Sequence, residues 1–211
     1  MERYFIIYKP YKMLSQFMRM PKKRCLADLD FNFPQGTNAF GRLDENSEGL
    51  LILSTDKQLN HFLLKPENLH KRVYWVQVQF KVKNEELRML EEGIKIQLEK
   101  GDYVTKPCRA KIIEEPKNLP IRERRPVKTE LISEWLELTL SEGKFHQVRK
   151  MCAGINHQVL RLLRVSIEDL HLESYTPGTV KEITQQEIYS KLNISPRFHN
   201  WHEVSKQHQV F

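Results

Sequence analysis

The chain has 211 residues, 40% of them hydrophobic and 29% charged, with a formal net charge of +7. Together with a mean hydropathy of −0.57, this excludes a disordered polyelectrolyte and a bundle of membrane-spanning helices. A pI of about 9.2 points toward a polyanionic partner, nucleic acid being the usual one, because each phosphate neutralised by Lys or Arg releases a condensed counterion; a charge excess also occurs as a plain solvated face.

The opening Met1-Glu2-Arg3-Tyr4-Phe5-Ile6-Ile7-Tyr8 has no basic leader ahead of a long apolar core, so the expected compartment is the cytoplasm. Arg3 to Tyr8 reads as a strand that Lys9-Pro10 ends. Residues 11 to 40 read as irregular, punctuated by Pro21, Pro34 and Gly36. Gly41-Arg42-Leu43-Asp44 leads into a polar turn, Glu45 to Gly49, and then a short strand, Leu50 to Leu53. Ser54-Thr55-Asp56 offers N-cap chemistry for a helix with Leu59, Phe62 and Leu63 on one face.

Arg72 to Phe80 alternates, with Tyr74, Val76, Val78 and Phe80 on one face. A helix from Asn84 carries Leu87 and Leu90 and stops at Gly93. Short strands are expected at Ile94 to Leu98 and Cys108 to Ile113. The Pro-punctuated segment from Glu114 to Lys128 holds five cations, Lys117, Arg122, Arg124, Arg125 and Lys128. A strand over Leu131 to Leu140, a helix around Phe145 to Ala153 and a strand over Gln158 to Ile167 follow. Thr184-Gln185-Gln186-Glu187 is a capping box for a last helix. This pattern predicts an α+β protein of mixed or antiparallel sheet. There is no GxGxxG or GxxxxGK[ST] phosphate loop. Cys25, Cys108 and Cys152 are scattered and odd in number, and no His or Cys spacing suits zinc, so no metal is expected.

Asp44 lies where a strand end or loop presents a site group, although the spacing alone fits a turn-forming Asp equally well. On the helix around Phe145 to Ala153, Phe145, Val148 and Cys152 form the apolar stripe. Arg149 lies about 40° from that stripe at 3.6 residues per turn. A guanidinium there either snorkels to solvent or takes an anionic mate, for which Asp44 is suited. His146 and Lys150 point further toward solvent. Tyr74 is either a core aromatic or a stacking surface for an extruded base. The cations from Lys117 to Lys128 suit phosphate contact.

These residues together resemble the RsuA/RluB/RluE/RluF family of RNA pseudouridine synthases, over roughly residues 4 to 182. Tyr8-Lys9-Pro10-Tyr11 resembles the family's opening KP motif. Gly41-Arg42-Leu43-Asp44 with Ser47-Glu48-Gly49-Leu50-Leu51 is similar to its GRLDxxSxGLL motif. Arg72-Val73-Tyr74 stands at its Lys-x-Tyr. Glu142 to Met151 is similar to its EGxxxQVR(R/K)M motif, with Leu160-Arg161-Leu162-Leu163-Arg164 following. Pro120-Ile121-Arg122-Glu123-Arg124 favours the RluE branch. Tyr11 where many relatives have Gly, Arg72 for Lys and Lys144 for Arg are departures that leave Asp44, Tyr74 and Arg149 intact.

The resemblance implies a two-lobed catalytic domain over residues 1–190, divided near 65, with sheet lobes flanking a basic cleft. It implies no S4-type RNA-binding domain, and a polar tail over 191–211. It implies that uridine in rRNA is isomerised to pseudouridine without metal or cofactor, by a monomer. Asp44 is then the catalytic residue, Arg149 its ion-pair mate and Tyr74 the base-stacking ring. Arg42 and Leu162 line the pocket, while Arg122, Arg124, Arg125, Lys128, Lys144 and Lys150 contact RNA. Other readings compatible with the residues are a tRNA substrate, a non-catalytic RNA-binding or ribosome-assembly factor, and a glycoside hydrolase pairing Asp44 with Glu45 or Glu48.

Overall fold

Runs that alternate in the sequence become strands buried on one face, and the unbroken apolar run becomes a strand buried on both. The computed structural model describes residues 1–64, 70–120, 132–173 and 176–194. Strands β1 (Tyr4–Lys9), β2 (Met13–Leu14), β3 (Arg24–Cys25), β4 (Asn38–Phe40) and β5 (Glu48–Ser54) lead to helix α1 (Lys57–Leu64). Then come β6 (Arg72–Gln79), α2 (Asn84–Glu92), β7 (Lys95–Leu98), β8 (Gly101–Val104), β9 (Arg109–Ile113) and β10 (Ser133–Leu140). Helix α3 (Gln147–Gly154), β11 (Val159–Ile167), β12 (Leu170–His171), β13 (Val180–Ile183) and α4 (Gln185–Lys191) complete the described elements.

A nine-stranded mixed sheet runs β13-β1-β5-β11-β6-β10-β9, with β4 added to β5 and β12 to β11. Its two halves meet where β5 and β11 pair in parallel, through Leu163 opposite Glu48 and Arg164 opposite Gly49. The two expected lobes therefore share one sheet. The division near residue 65 falls between α1 and β6, but β13 returns to pair with β1, so the end of the chain rejoins the first half.

All seven residues of β5 are buried because both of its faces are covered. Leu50 and Ile52 pack with Leu59 and Phe62 of α1 and Ile188 of α4. Leu51 and Leu53 pack on the other face with Phe5, Met13 and Leu26, flanked by Phe17, Phe31 and Phe33 from the irregular segment. Burying each such Leu or Ile contributes about 1.5–3 kcal/mol. In β6 the alternation is plain: Tyr74, Val76 and Val78 are buried and the residues between them are half-buried. Phe80, expected on the same face, instead takes φ of 68° and leaves the sheet 53% exposed.

Polar anchors secure the ends of the fold. Asp56 accepts the Gln58 backbone N–H at 2.9 Å as the expected cap of α1. Its other oxygen takes the hydroxyls of Tyr4 and Tyr189, both at 2.8 Å, tying α4 to the first half. Thr184 accepts the Glu187 N–H at 3.1 Å, the capping interaction read from the sequence. Beyond α4, Leu192 and Ile194 are still buried in the core, so the packed domain extends past 190. Residues 195–211 lie outside the described residues.

Candidate active site

Asp44 sits on the turn between β4 and β5, and several independent contacts set its direction. Gly41 takes φ of 59°, which lets the chain reverse after β4. Leu43 is buried in the core, and its backbone is held on both sides by Ser15. The Ser15 hydroxyl donates to the Leu43 carbonyl at 2.7 Å and accepts its N–H at 3.1 Å. The Ser47 N–H donates to the Asp44 carbonyl at 3.1 Å and closes the turn. With its neighbour anchored inward, the Asp44 side chain faces a cleft and remains 32% exposed.

The strand behind this turn explains the Ser-x-Gly-Leu-Leu pattern. Gly49 has φ of 103°, and a Cβ there would lie 2.3 Å from the Arg164 carbonyl oxygen. Only glycine lets β5 approach β11 that closely. Next to it, Glu48 is 2% exposed and accepts from Arg161 Nη2 at 3.0 Å and Nε at 3.3 Å. Arg161 also donates to the Pro120 carbonyl at 2.9 Å. This buried pair joins the turn that carries Asp44 to the base of the Pro-rich segment.

Arg149 was expected to pair with Asp44; the structure gives it contacts with the turn that carries Asp44 and places the His146 imidazole near the carboxylate. Arg149 donates through Nη2 to the Asn46 carbonyl at 2.7 Å and reaches Ser47 Oγ at 3.5 Å. It thereby braces the turn that carries Asp44, while the carboxylate itself lies 3.5 Å from His146 Nε2. The physical reason is where α3 begins. The helix starts at Gln147, and His146 precedes it in a left-handed conformation, φ 55° and ψ 28°. That turns the imidazole back over the cleft, whereas a helix starting at Phe145 sends it to solvent. Phe145 leaves the apolar stripe for the same reason and is 71% exposed.

A second guanidinium lies beneath. Arg164 is 2% exposed and donates to the Leu50 carbonyl at 2.8 Å and the Gly41 carbonyl at 2.6 Å. Burial is the main force lowering its pKa, opposed by its interactions with Tyr74 and Asp44. Lys9 is fully buried, with Nζ donating to the carbonyls of Pro10 at 2.9 Å, Met13 at 2.7 Å and Glu45 at 3.5 Å. Burial pulls Lys9 down to about 7, against the carboxylates of Glu48, Asp44 and Glu45. The sequence reading missed Arg164, Lys9 and His146 as site residues. A charge inside the apolar run Leu162-Leu163-Arg164-Val165 was the available signal, since such a charge needs buried partners.

The cleft has a volume of about 930 Å³. Its lining includes Leu14, Ser15, Arg42 and Asp44 from the first half of the chain, Tyr74, Leu140 and Arg164 from β6, β10 and β11, and a wall of Tyr103, Lys106, Lys144, Phe145 and His146 from around β8 and the start of α3. Glu142 organises that wall by accepting from the Tyr103 hydroxyl, the Lys106 N–H at 2.9 Å and Gln147 Nε2 at 2.6 Å. Gln147 Oε1 in turn accepts the Lys144 N–H at 2.8 Å. The Glu and Gln of the EGxxxQVR pattern thus clamp the loop between them. The bond to Glu142 pushes the Tyr103 phenol up to about 12.

Of the other expected residues, Arg42 is exposed at the rim and Tyr74 presents a small part of its ring to the cleft. Lys144 Nζ sits 4.8 Å from the Tyr103 ring centre and Lys150 Nζ 5.4 Å from that of Phe145. Leu162 is a correction: it is 4% exposed and packs with Leu43, Tyr74 and Val148 in the core below the cleft. Strand β11 runs through the centre of the sheet, which leaves Leu162 no open side. Arg122, Arg124, Arg125 and Lys128 lie outside the described residues. Among the described residues no group of three or more His, Cys, Asp or Glu side chains is placed to hold a metal ion. No helix among them is long and apolar enough to cross a membrane.

The carboxylates near Asp44 are committed elsewhere. Glu45 pairs with Lys23 at 2.6 Å and Glu48 is buried on Arg161. A two-carboxylate hydrolase built on Asp44 with either of them lacks its second acid. Asp44 is left as the more exposed carboxylate of the turn, at 32% against 23% for Glu45, in a cleft lined by basic and aromatic side chains.

Comparison with known proteins agrees with this geometry. Residues 3–154 match the family model described as RNA pseudouridylate synthase. The ribosomal large subunit pseudouridine synthase E of Xanthomonas axonopodis pv. citri is 38% identical over 179 residues, covering 82% of this chain and 89% of the relative. Its namesake in Vibrio vulnificus is 37% identical over 188 residues, covering 87% and 76%. A crystal structure of a pseudouridylate synthase superposes with a TM-score of 0.74 at 27% identity, over 91% of this chain and 74% of that one. With a matching model over residues 3–154 and relatives 37% and 38% identical over more than four fifths of its length, the chain belongs to the RNA pseudouridylate synthase family.

Proposed function

We propose that the protein converts uridine to pseudouridine in large-subunit ribosomal RNA, with Asp44 as the catalytic residue. The observation that carries this reading is the Asp44 carboxylate at the turn before β5, 32% exposed in a cleft lined by Tyr74, Arg42 and Lys144. The names of the Xanthomonas and Vibrio relatives support ribosomal RNA as the substrate.

A base inside a stack is out of reach, so the uridine must be extruded into the cleft. Ionised Asp44 then initiates cleavage of the C1′–N1 bond, acting on the sugar of the target nucleotide. The freed uracil turns within the cleft and C5 bonds to C1′. The C5 proton departs and N1 gains one, so the reaction is an isomerisation with no net redox change. Tyr74 holds the face of the uracil and Arg42 the phosphate side. Arg149 acts as a positioning residue through the Asn46–Ser47 backbone. The cations of 117–128, with Lys144 and Lys150, grip the RNA backbone. The reading extends to a monomer working in the cytoplasm, which light scattering and fractionation test.

Asp44→Asn keeps the shape of the side chain and removes its charge. It is expected to abolish tritium release from RNA labelled with [5-³H]uridine while RNA binding persists. Turnover by the variant removes Asp44 from the mechanism. Release from labelled transfer RNA and not from ribosomal RNA reassigns the substrate.

A further inference from the structure

Phe145 stands out among the large apolar side chains at the cleft. It is 71% exposed, although the loop carrying it is clamped by Glu142 and Gln147. Single exposed apolar residues are ordinary on a protein surface, but this one is held in a particular geometry. Its ring is stacked on the His146 imidazole, with centroids 3.9 Å apart and planes 18° from parallel. His146 in turn contacts Asp44 at 3.5 Å. The order outward from the carboxylate is therefore Asp44, the imidazole and the phenyl ring, each one contact from the next.

Lys150 Nζ lies 5.4 Å from the centre of the Phe145 ring, and Lys144 also belongs to this wall. A flat aromatic surface with ammonium groups beside it has the composition of a single-strand nucleic-acid subsite: bases stack on the ring and phosphates take the cations. The cleft's volume of about 930 Å³ lies near the top of the roughly 300–1,000 Å³ range of small-molecule sites. It has room for more than one pyrimidine base.

We propose that Phe145, backed by His146, is a stacking platform for the nucleobase adjacent to the target uridine. This rests on the reading above, that the uridine is extruded toward Asp44. Extrusion breaks the stacking of the uridine with its neighbour, and that neighbour's exposed face needs a new partner. Phe145 supplies it one layer away from the carboxylate. Lys150 moves off the ring onto the phosphate of the nucleotide that displaces it. The platform thus offsets part of the unstacking free energy and orients the strand, and it accepts any base because every base has a π face.

The test compares Phe145→Ala, Phe145→Leu and Phe145→Trp with the unaltered chain. The probe is in vitro transcribed large-subunit ribosomal RNA or total transfer RNA, whichever the unaltered chain converts in the tritium-release assay. A lost base–aromatic stack lowers kcat/KM by about 5- to 150-fold in Phe145→Ala. Phe145→Leu keeps an apolar side chain without a flat face and falls nearly as far, while Phe145→Trp retains activity. The slope of log kcat/KM against log salt stays unchanged in all three, because no phosphate contact is removed. In an Asp44→Asn background, the tryptophan added by Phe145→Trp is quenched when RNA binds, relative to the same background with Phe145.

Full activity in Phe145→Ala or Phe145→Leu, or an absence of quenching, overturns the platform and leaves the isomerase reading standing. If the unaltered chain converts neither RNA, the isomerase reading itself fails. Thermal unfolding of the three variants is expected to match the unaltered chain, since the ring is mostly exposed.

Discussion

Replacing Gly49 with alanine tests whether the approach of β5 to β11 holds the turn that carries Asp44. The added methyl carbon would lie 2.3 Å from the Arg164 carbonyl oxygen, 2.9 Å from its nitrogen and 3.1 Å from its carbonyl carbon. All three are backbone atoms of a central strand, so no side chain can rotate away to relieve the overlap. A non-glycine residue at φ of 103° also carries strain of about 1–3 kcal/mol. Separating the strands disrupts a parallel contact of only two register pairs, at about 1 kcal/mol per hydrogen bond. The sum is a loss of about 3–5 kcal/mol, which lowers Tm by about 6–20 °C for a chain of this size. Gly101→Ala isolates the strain, because Gly101 has φ of 114° and nothing within 4 Å of an added Cβ. Urea and thermal unfolding of the two variants give the comparison, and tritium release shows whether Asp44 stays in place. If Gly49→Ala is no less stable than Gly101→Ala, the close approach of the two strands is not what holds this turn.

Three further outcomes are expected. Glu48→Ala leaves Arg161 buried without its carboxylate, which costs about 3–5 kcal/mol; the double replacement Glu48→Leu with Arg161→Met recovers most of this in urea unfolding. Lys9 has a folded pKa of about 7 against an ordinary value of 10.5, so between pH 7 and 9 the unfolded chain binds more protons and stability rises with pH. Its contribution approaches about 1.4 kcal/mol per pH unit; Lys9→Met flattens that rise, and an unchanged pH profile of ΔG assigns it to other groups. Neutralising Arg122, Arg124 and Arg125 together weakens RNA binding and lowers the magnitude of the log K against log salt slope by about 2–3. An unchanged slope in fluorescence anisotropy gives that segment another task.

Much of this protein was legible from residue order, wherever a local pattern has one physical solution. Alternation in Arg72 to Gln79 admits one buried face, and Thr184 with Glu187 makes a cap from four consecutive residues. The motifs around Asp44 and Gln147 pointed to one site through their family resemblance, and both residues line one cleft. The strands β8 and β13 were missed because neither has a long apolar period, and both form by pairing with a neighbour that already exists.

Which side chain lies beside Asp44 was decided elsewhere. Residues 44 and 146 are far apart in the chain, and which side chain of α3 reaches the carboxylate depends on where the helix begins. The left-handed backbone at His146 and the clamp between Glu142 and Gln147 set that start. Arg164 likewise looked like an ordinary member of a strand, and Lys9 like the residue that ends one, until packing removed their water and left backbone carbonyls as partners. Local sequence specifies periodicity and chemical type; which charges become buried, and against what, follows only once distant strands have come together, because desolvation is a property of the assembled core.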